Sequence, residues 1–562
     1  MTKPLFLARL IGTQEQMGAQ HGRLAAADAA RLLEFYRTLP ERALAGDQGR
    51  AGRFVVRHLA KAWQARLAVE RPPELAARTR AFIDAVLAAS PGHSRRDGRL
   101  TFAMMDSLQN CVSLAARAQL GPFASSLGAK VASAAVPACS TVMAWGGATE
   151  DGELLFARNF DFPGVGVWDA APAFVVCAPD GGQRYGFFTT RGADAPVVTV
   201  VNEAGLVMAP HTRLHRGITW GGAMIVDLVH EIARRAETLD EAIRIARARP
   251  ASSSWGLAIG SARERTGLVL ELAGKQVEVV RPTPGAEHLA CTNRYRAPAL
   301  APGELSASPA WAIHANHREQ RLRQLVEARS APLTARALAR FLGDRVDPAA
   351  PGQRRHLGAI LAQPINVHAV VIAPAARRAW VGIDRAPSCE GTWAELGWEW
   401  DGPAGGWERG ALANTGFTAT ELSGFVEPHD AASRHVHDAV RAFEHDHDVA
   451  AARASIERAV ALAPDDPSLR IAAVWLALEL GAREAAVVHV HAGLACEREP
   501  FRRGQLLCWG ARAVQADDAA LATRWRDELS QLAGDGLDEL RALADRRTNA
   551  RPHTNLLVVD AY

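Results

Sequence analysis

Cysteine is sparse. The seven in 562 residues, at 111, 139, 177, 291, 389, 496 and 508, are odd in number, far apart and free of any CxxC pair. This spacing excludes both a zinc ribbon and a disulfide framework, and reduced thiols in a cytoplasmic protein are the expectation. Lysine is scarce, so arginine carries most of the 64 basic charges, which stand against 61 acidic ones for a net +3. No basic block appears and the two signs are interspersed, which excludes a nucleic-acid footprint. Long hydrophobic runs are missing too. Residues 131–149 carry no charge but are only weakly apolar, and Pro137 with Gly146-Gly147 would break a spanning helix there. No membrane association is expected, and residues 1–10 lack the apolar core of a secretory leader. There is no GxSxG elbow, P-loop or dinucleotide glycine pattern, and His230-Glu231-Ile232-Ala233-Arg234 lacks the second histidine of a zinc-protease helix. With 48% hydrophobic and 22% charged residues, the chain has ample material for large cores and is not wholly disordered. At ~100–200 residues per domain, its length suggests three to five domains.

The first 120 residues read as mainly helical. Thr13-Gln14-Glu15-Gln16 fits a capping box, and apolar residues recur at helical spacing over 54–69, 74–88 and 102–118. The pattern changes after Pro137. Short runs compatible with strands occupy 141–144, 154–158, 173–177, 185–189 and 197–201, with turn signals such as Asp151-Gly152 and Asn202-Glu203-Ala204-Gly205 between them. Helices follow near 222–248, strands at 255–280, helix near 315–342, and a last hairpin at 366–383. This order predicts a layered α+β domain over 139–400. Residues 401–430, rich in Gly, Pro and Thr, read as a linker, and 431–562 as a helical module. Glu499-Pro500 echoes Asp466-Pro467 after 33 residues, close to the tetratricopeptide (TPR) period, so a TPR-like repeat and an ordinary helical bundle both stand. The His/Asp-rich run from His429 to Asp448 lacks i,i+4 histidine pairs and reads as a solvated helix face or linker. No metal or cofactor is expected.

The chemistry concentrates around Cys139. Arg158 lies 19 residues further on and Asp161 lies 22. A strand, an Asp-Gly hairpin and a returning strand would bring Arg158 back beside the thiol. A neighbouring cation favours the nucleophilic thiolate.

Cys139-Ser140-Thr141 with Arg158-Asn159-Phe160-Asp161 resembles the nucleophile region of the penicillin acyltransferase-like autoproteolytic peptidases. These are N-terminal-nucleophile (Ntn) hydrolases, cousins of the choloylglycine hydrolases. The stretch from Ile11 to Gly22 is similar to the opening helix of the acyltransferase propeptide. Asn202-Glu203-Ala204-Gly205-Leu206, Thr292-Asn293 and the hairpin from Val370 to Val381 resemble further shared motifs, so the likeness spans about 10–385. It implies a four-layer αββα sandwich preceded by a helical propeptide, 1–138, and activation by cleavage between Ala138 and Cys139. The freed α-amine of Cys139, with a pKa near ~7.7, would then be the general base for its own thiol, which attacks linear amide bonds through an acyl-thioester. By resemblance, Arg158 and Asp161 orient the nucleophile and its amine, and Asn293 stabilises the oxyanion or holds the amine. Two departures stand out. Ala138 occupies the position where the family has glycine, and Thr212, preceded by His211, stands where a choloylglycine hydrolase has an oxyanion asparagine. Thr212, His211 or a backbone amide would fill that role, with Asn202 a further candidate, and the later helix offers either Arg318 or Arg321. The substrate would be a small-molecule amide or acyl donor, and 431–562 would serve a protein partner or self-association. The alternative is a catalytically silent scaffold that keeps the fold while its helical C-terminus binds a protein. A conventional Cys–His hydrolase is disfavoured, because no papain-like signature surrounds Cys139.

Overall fold

The computed structural model describes residues 4–43, 58, 62, 65–67, 69–89, 106, 110, 113, 138–306, 309–408, 415–446 and 448–546. The helices expected over 54–69 and 102–118 lie largely outside the described residues.

Strand β1 (Phe6–Gly12) leads into helix α1 (Gln14–Ala43). The junction is a reciprocal capping box: Gln16 N donates to Thr13 Oγ1 at 3.2 Å and Thr13 N donates to Gln16 Oε1 at 2.8 Å. Helix α1 packs on α2 (Pro73–Ala89). A Cβ on Gly18 would lie 2.2 Å from the Arg78 carbonyl oxygen, and one on Gly22 would lie 2.5 Å from that of Phe82. Only glycine lets the two backbones approach so closely.

Two sheets form the centre. The strands after β1 are β2 (Ser140–Ala144), β3 (Leu155–Asp161), β4 (Pro172–Pro179), β5 (Tyr185–Thr190), β6 (Thr199–Asn202), β7 (Leu206–Thr212), β8 (Ser254–Ser261), β9 (Thr266–Ala273), β10 (Gln276–Val280), β11 (His288–Cys291), β12 (Asn366–Ala373), β13 (Arg378–Gly382), β14 (Trp393–Trp398), β15 (Gly405–Glu408) and β16 (Phe417–Leu422). One sheet has nine strands in the order β10-β9-β8-β7-β6-β5-β4-β1-β15, and the other has seven in the order β11-β2-β3-β12-β13-β14-β16. Because side chains alternate along a strand, each sheet has two buried faces. Leu7, Phe174, Val176, Val207 and Ala209 of the first sheet share one apolar cluster with Met143, Phe156, Val370 and Ile372 of the second. The intervening residues face outward. Leu10, Val175 and Met208 pack with helices α3 (Ile225–Arg235) and α4 (Leu239–Ala248). Val142, Ala157 and Val371 pack with α5 (Pro309–Glu327) and α6 (Ala335–Leu342). The helical stretch expected near 315–342 is therefore two helices. Thr334 caps the second by accepting a hydrogen bond from Ala337 N.

Two expectations need correction. Residues 401–430 are not a linker, because β15 pairs with β1 in one sheet and β16 with β14 in the other. Composition hid this: β16 is a half-exposed edge with a short alternating pattern, Phe417-Thr418-Ala419-Thr420, between glycine-rich turns. The hairpin at 366–383 is likewise not the last, since β14 and β16 extend its sheet. The mainly helical N-terminal stretch also contributes one strand, since β1 is inserted parallel to β4 and antiparallel to β15.

Beyond β16, helices α7 (Ala431–Arg441), α8 (Val449–Leu462), α9 (Pro467–Glu479), α10 (Arg483–Cys496), α11 (Pro500–Val514), α12 (Ala519–Gln531) and α13 (Leu537–Ala544) each pack on the next. Asp466 and Glu499 cap α9 and α11, each followed by proline at the first helical position. This is the origin of the echo seen in the sequence. The His/Asp-rich run is only partly a solvated face: Asp438, Asp446 and Asp448 are exposed, but two histidines turn to backbone carbonyls. His437 Nδ1 donates to the Ala386 carbonyl at 3.0 Å, and His445 Nε2 to that of Val165 at 2.6 Å. Buried Arg355 and Glu497 form an ion pair, and the His356 ring lies between Asp466 (2.7 Å) and Asp430 (3.1 Å). These contacts hold the helical module against the sheets. Among the described residues, no helix is long and apolar enough to cross a membrane.

Candidate active site

Cys139 immediately precedes β2 and is buried. In the β2–β3 ladder Thr141 is directly opposite Arg158, so both point to the same face of the sheet. Met143 and Phe156 on the same two strands belong to the inter-sheet cluster, which fixes that face as the inner one. From there Arg158 Nη2 reaches Cys139 Sγ at 3.4 Å and donates to the Pro210 carbonyl of β7 at 2.7 Å. His211 enters from the same strand, and its Nε2 hydrogen-bonds with Thr141 Oγ1 at 2.9 Å, linking the two sheets.

The backbone side of Cys139 is held from the opposite layer. Arg318, in the middle of α5, donates through Nη1 to the Cys139 carbonyl and to Ser140 Oγ, both at 2.8 Å, and through Nη2 to Asn293 Oδ1 at 2.8 Å. Asn293 follows β11 and donates to the Thr212 carbonyl at 3.0 Å. Its neighbour Thr292 fastens the loop to α5 by donating to the Ala315 carbonyl at 2.8 Å. Asp161 ends β3. Its backbone carbonyl accepts from Ala138 N at 3.1 Å, and its Oδ1 accepts from Asn366 Nδ2 at 2.9 Å. Among the described residues its other carboxylate oxygen, which is buried, has no hydrogen-bond partner.

Burial dominates the electrostatics. It pushes the Cys139 thiol above its ordinary value, opposed chiefly by the Arg158 guanidinium. It pushes the Asp161 carboxyl from 3.8 to about 7, against Arg318, the Asn366 hydrogen bond and Arg158. Burial and then the nearby Arg158, Arg213 and Arg318 hold His211 far below 6.5, so its ring is neutral. Arg158 itself is an uncommon group: a fully buried guanidinium whose Nε and Nη1 have no hydrogen-bond partner among the described residues.

The structure thus brings Ala138, Cys139, Arg158, Asp161, Asn293, His211 and the Thr212 carbonyl together. Of the two arginines left open, Arg318 enters the site, whereas Arg321 pairs with Asp344 at 2.7 Å. Asn202 does not join them. Its amide donates to the Ala233 and Ala236 carbonyls at the end of α3, and its Oδ1 accepts from Leu206 N across a turn in which Gly205 has φ +84°. Asn202 is a turn and helix-end residue. Sequence reasoning missed Asn366, which nothing local distinguishes, and the Thr141–His211 link, which depends on a pairing between sheets.

Residues 148–386 match the family described as acyl-coenzyme A:6-aminopenicillanic acid acyl-transferase. The match covers less than half of the chain. It begins nine residues after Cys139 and ends before β14, so the nucleophile candidate and the helical module lie outside the matched residues. No curated protein matches the chain. Among solved structures, a Caenorhabditis elegans N-acylethanolamine-hydrolyzing acid amidase (NAAA) ortholog is similar at 14% identity and a TM-score of 0.30, covering 42% of this chain and 93% of that one.

Proposed function

We propose that the chain is an autoprocessing cysteine hydrolase or acyltransferase of the Ntn type, acting on linear amide bonds of small molecules. The observation that carries this reading is the position of Cys139. Its thiol is 3.4 Å from Arg158, and the peptide bond on its amino side lies between the Asp161 backbone and the Arg318 fork. Cores on the outer faces of both sheets support the four-layer arrangement of this class, and the stacked helix pairs after residue 430 support a TPR-like module.

In processing, Cys139 Sγ adds to the Ala138 carbonyl carbon and the C–N bond breaks. This leaves a thioester and a free α-amine, and one water hydrolyses the thioester to an Ala138 carboxylate and a free thiol. The unpartnered Asp161 oxygen is a ready acceptor for the new ammonium, whose charge would draw the raised carboxyl pKa back down. In turnover the α-amine takes the thiol proton, the thiolate attacks the substrate carbonyl, and the ammonium returns the proton to the leaving amine. Water or another amine then accepts the acyl group. Neutral His211 and the Asn293 amide are the donors for the oxyanion, in the role that backbone and amide donors play elsewhere.

Denaturing electrophoresis with N-terminal sequencing tests the reading. The expected products have 138 and 424 residues, the larger beginning at Cys139. An intact chain with full amidase activity overturns the mechanism, and an intact, inactive chain that binds a protein tightly favours the scaffold. Assaying the processed protein against N-acyl amino acids, acyl-peptides and β-lactams identifies the acyl and amine partners.

A further inference from the structure

Helix α5 carries Arg318 into the site, and one turn earlier the same helix presents His314. His314 is buried, and its Nε2 hydrogen-bonds with Arg502 Nη2 of helix α11. Arg502 is buried as well. Its backbone N–H donates to the Glu499 cap at 2.6 Å and its Nη1 to Gln505 Oε1 at 2.7 Å, so its fork is held from within the module. The first turn of α5 rests on the module too. A Cβ on Gly536 would lie 2.6 Å from that of Pro309, and Ala310 and Ile313 share an apolar cluster with Phe501 and Leu537. All of these module residues lie beyond residue 386, where the acyl-transferase match ends.

We propose that the C-terminal helical module is a brace for the active site, and that Arg502 is a positioning residue that sets Arg318 through His314 and helix α5. One face of α5 thereby connects the Cys139 carbonyl to α11. The inference rests on the function proposed above, because Arg318 matters only if Cys139 reacts. A side chain at i touches the module and one at i+4 touches the reacting residue, so a rotation or slide of the helix is felt at both.

The test uses the full-length chain and needs no substrate. Arg502→Met, Arg502→Lys and a module control, Arg512→Met, are compared for melting temperature, the first-order rate of Ala138–Cys139 cleavage, and hydrogen exchange of residues 309–327. Arg512 donates to the Leu543 carbonyl inside the module, so its loss reports general destabilisation. Arg502→Met is expected to slow cleavage at least tenfold and speed exchange in 309–327 more than the control does at equal loss of melting temperature. Arg502→Lys should recover part of both. In an Arg318→Met background, Arg502→Met should add nothing further to the cleavage rate. Equal effects from Arg502→Met and the control, or additive effects of Arg502→Met and Arg318→Met, overturn the brace. If wild-type protein does not cleave, the proposed function fails, and the exchange comparison alone still decides whether the module holds α5.

Discussion

Arg158→Met separates a residue kept for chemistry from one kept for stability. Coulomb attraction between a thiolate and a guanidinium 3.4 Å apart amounts to roughly 5 kcal/mol at an effective dielectric constant of ~20. Desolvation of both groups takes back most of this, leaving about 1.5–3 kcal/mol, the size of a hydrogen bond to a charged group. Without it cleavage and turnover should slow by ~10–150-fold, with their pH profiles displaced toward alkaline pH. Stability should change little. Among the described residues Arg158 has no carboxylate on its fork and two nitrogens without partners. Relief from desolvating a buried guanidinium offsets the ~1–3 kcal/mol of leaving the Pro210 carbonyl without its donor. Thermal or denaturant unfolding in a Cys139→Ala background measures that stability, and densitometry of the 138-residue fragment in otherwise native protein gives the rate. A variant that cleaves at the native rate while losing 2 kcal/mol or more of stability would refute the reasoning, because Arg158 would then be a structural cation.

Cys139→Ala should accumulate as a single chain, visible by intact mass, and Cys139→Ser should cleave at least tenfold more slowly. In the Cys139→Ala background, the Asp161 carboxyl at about 7 lies above its unfolded value of 3.8. The folded state therefore binds the proton more tightly, and the contribution of Asp161 is full below pH ~4, lost as pH rises to ~7, and flat above. Compared with Cys139→Ala/Asp161→Asn, the single variant should lose up to about 4 kcal/mol across that window in denaturant titrations, and parallel pH curves would contradict the assignment. Phe417→Ala should cost roughly 3 kcal/mol, since Phe417 is buried under the Arg9 guanidinium at 4.6 Å and beside Phe174. A loss below about 0.5 kcal/mol, normal for a linker residue, would count against β16 as a working strand.

Local signals made much of this legible. The capping box at Thr13, the hairpin that returns Arg158 to Cys139 and the proline-led starts of α9 and α11 are each written in a few adjacent residues. Some strands were harder. Val207 and Ala209 of β7 are obvious only once β8 is beside them, and the short alternation of β16 is diluted by glycine and threonine. The site divides the same way. Cys139, Arg158 and Asp161 lie on one hairpin, so spacing finds them. Arg318 could not be told from Arg321, because three residues on a helix is close to one turn and the choice depends on what each faces. Asn366 reaches Asp161 across a ladder pairing 205 positions apart in sequence, and no local pattern encodes such a distance.

Strand β1 is laid into the nine-stranded sheet between β4 and β15, both of which come after Cys139. Scission at Ala138 would leave the sheet intact while dividing it between two polypeptides. Unfolding, unimolecular before the cut, would then release two chains that must find each other to reform it. The mature protein would melt with a concentration-dependent midpoint and be protected by the slowness of its opening rather than by ease of return.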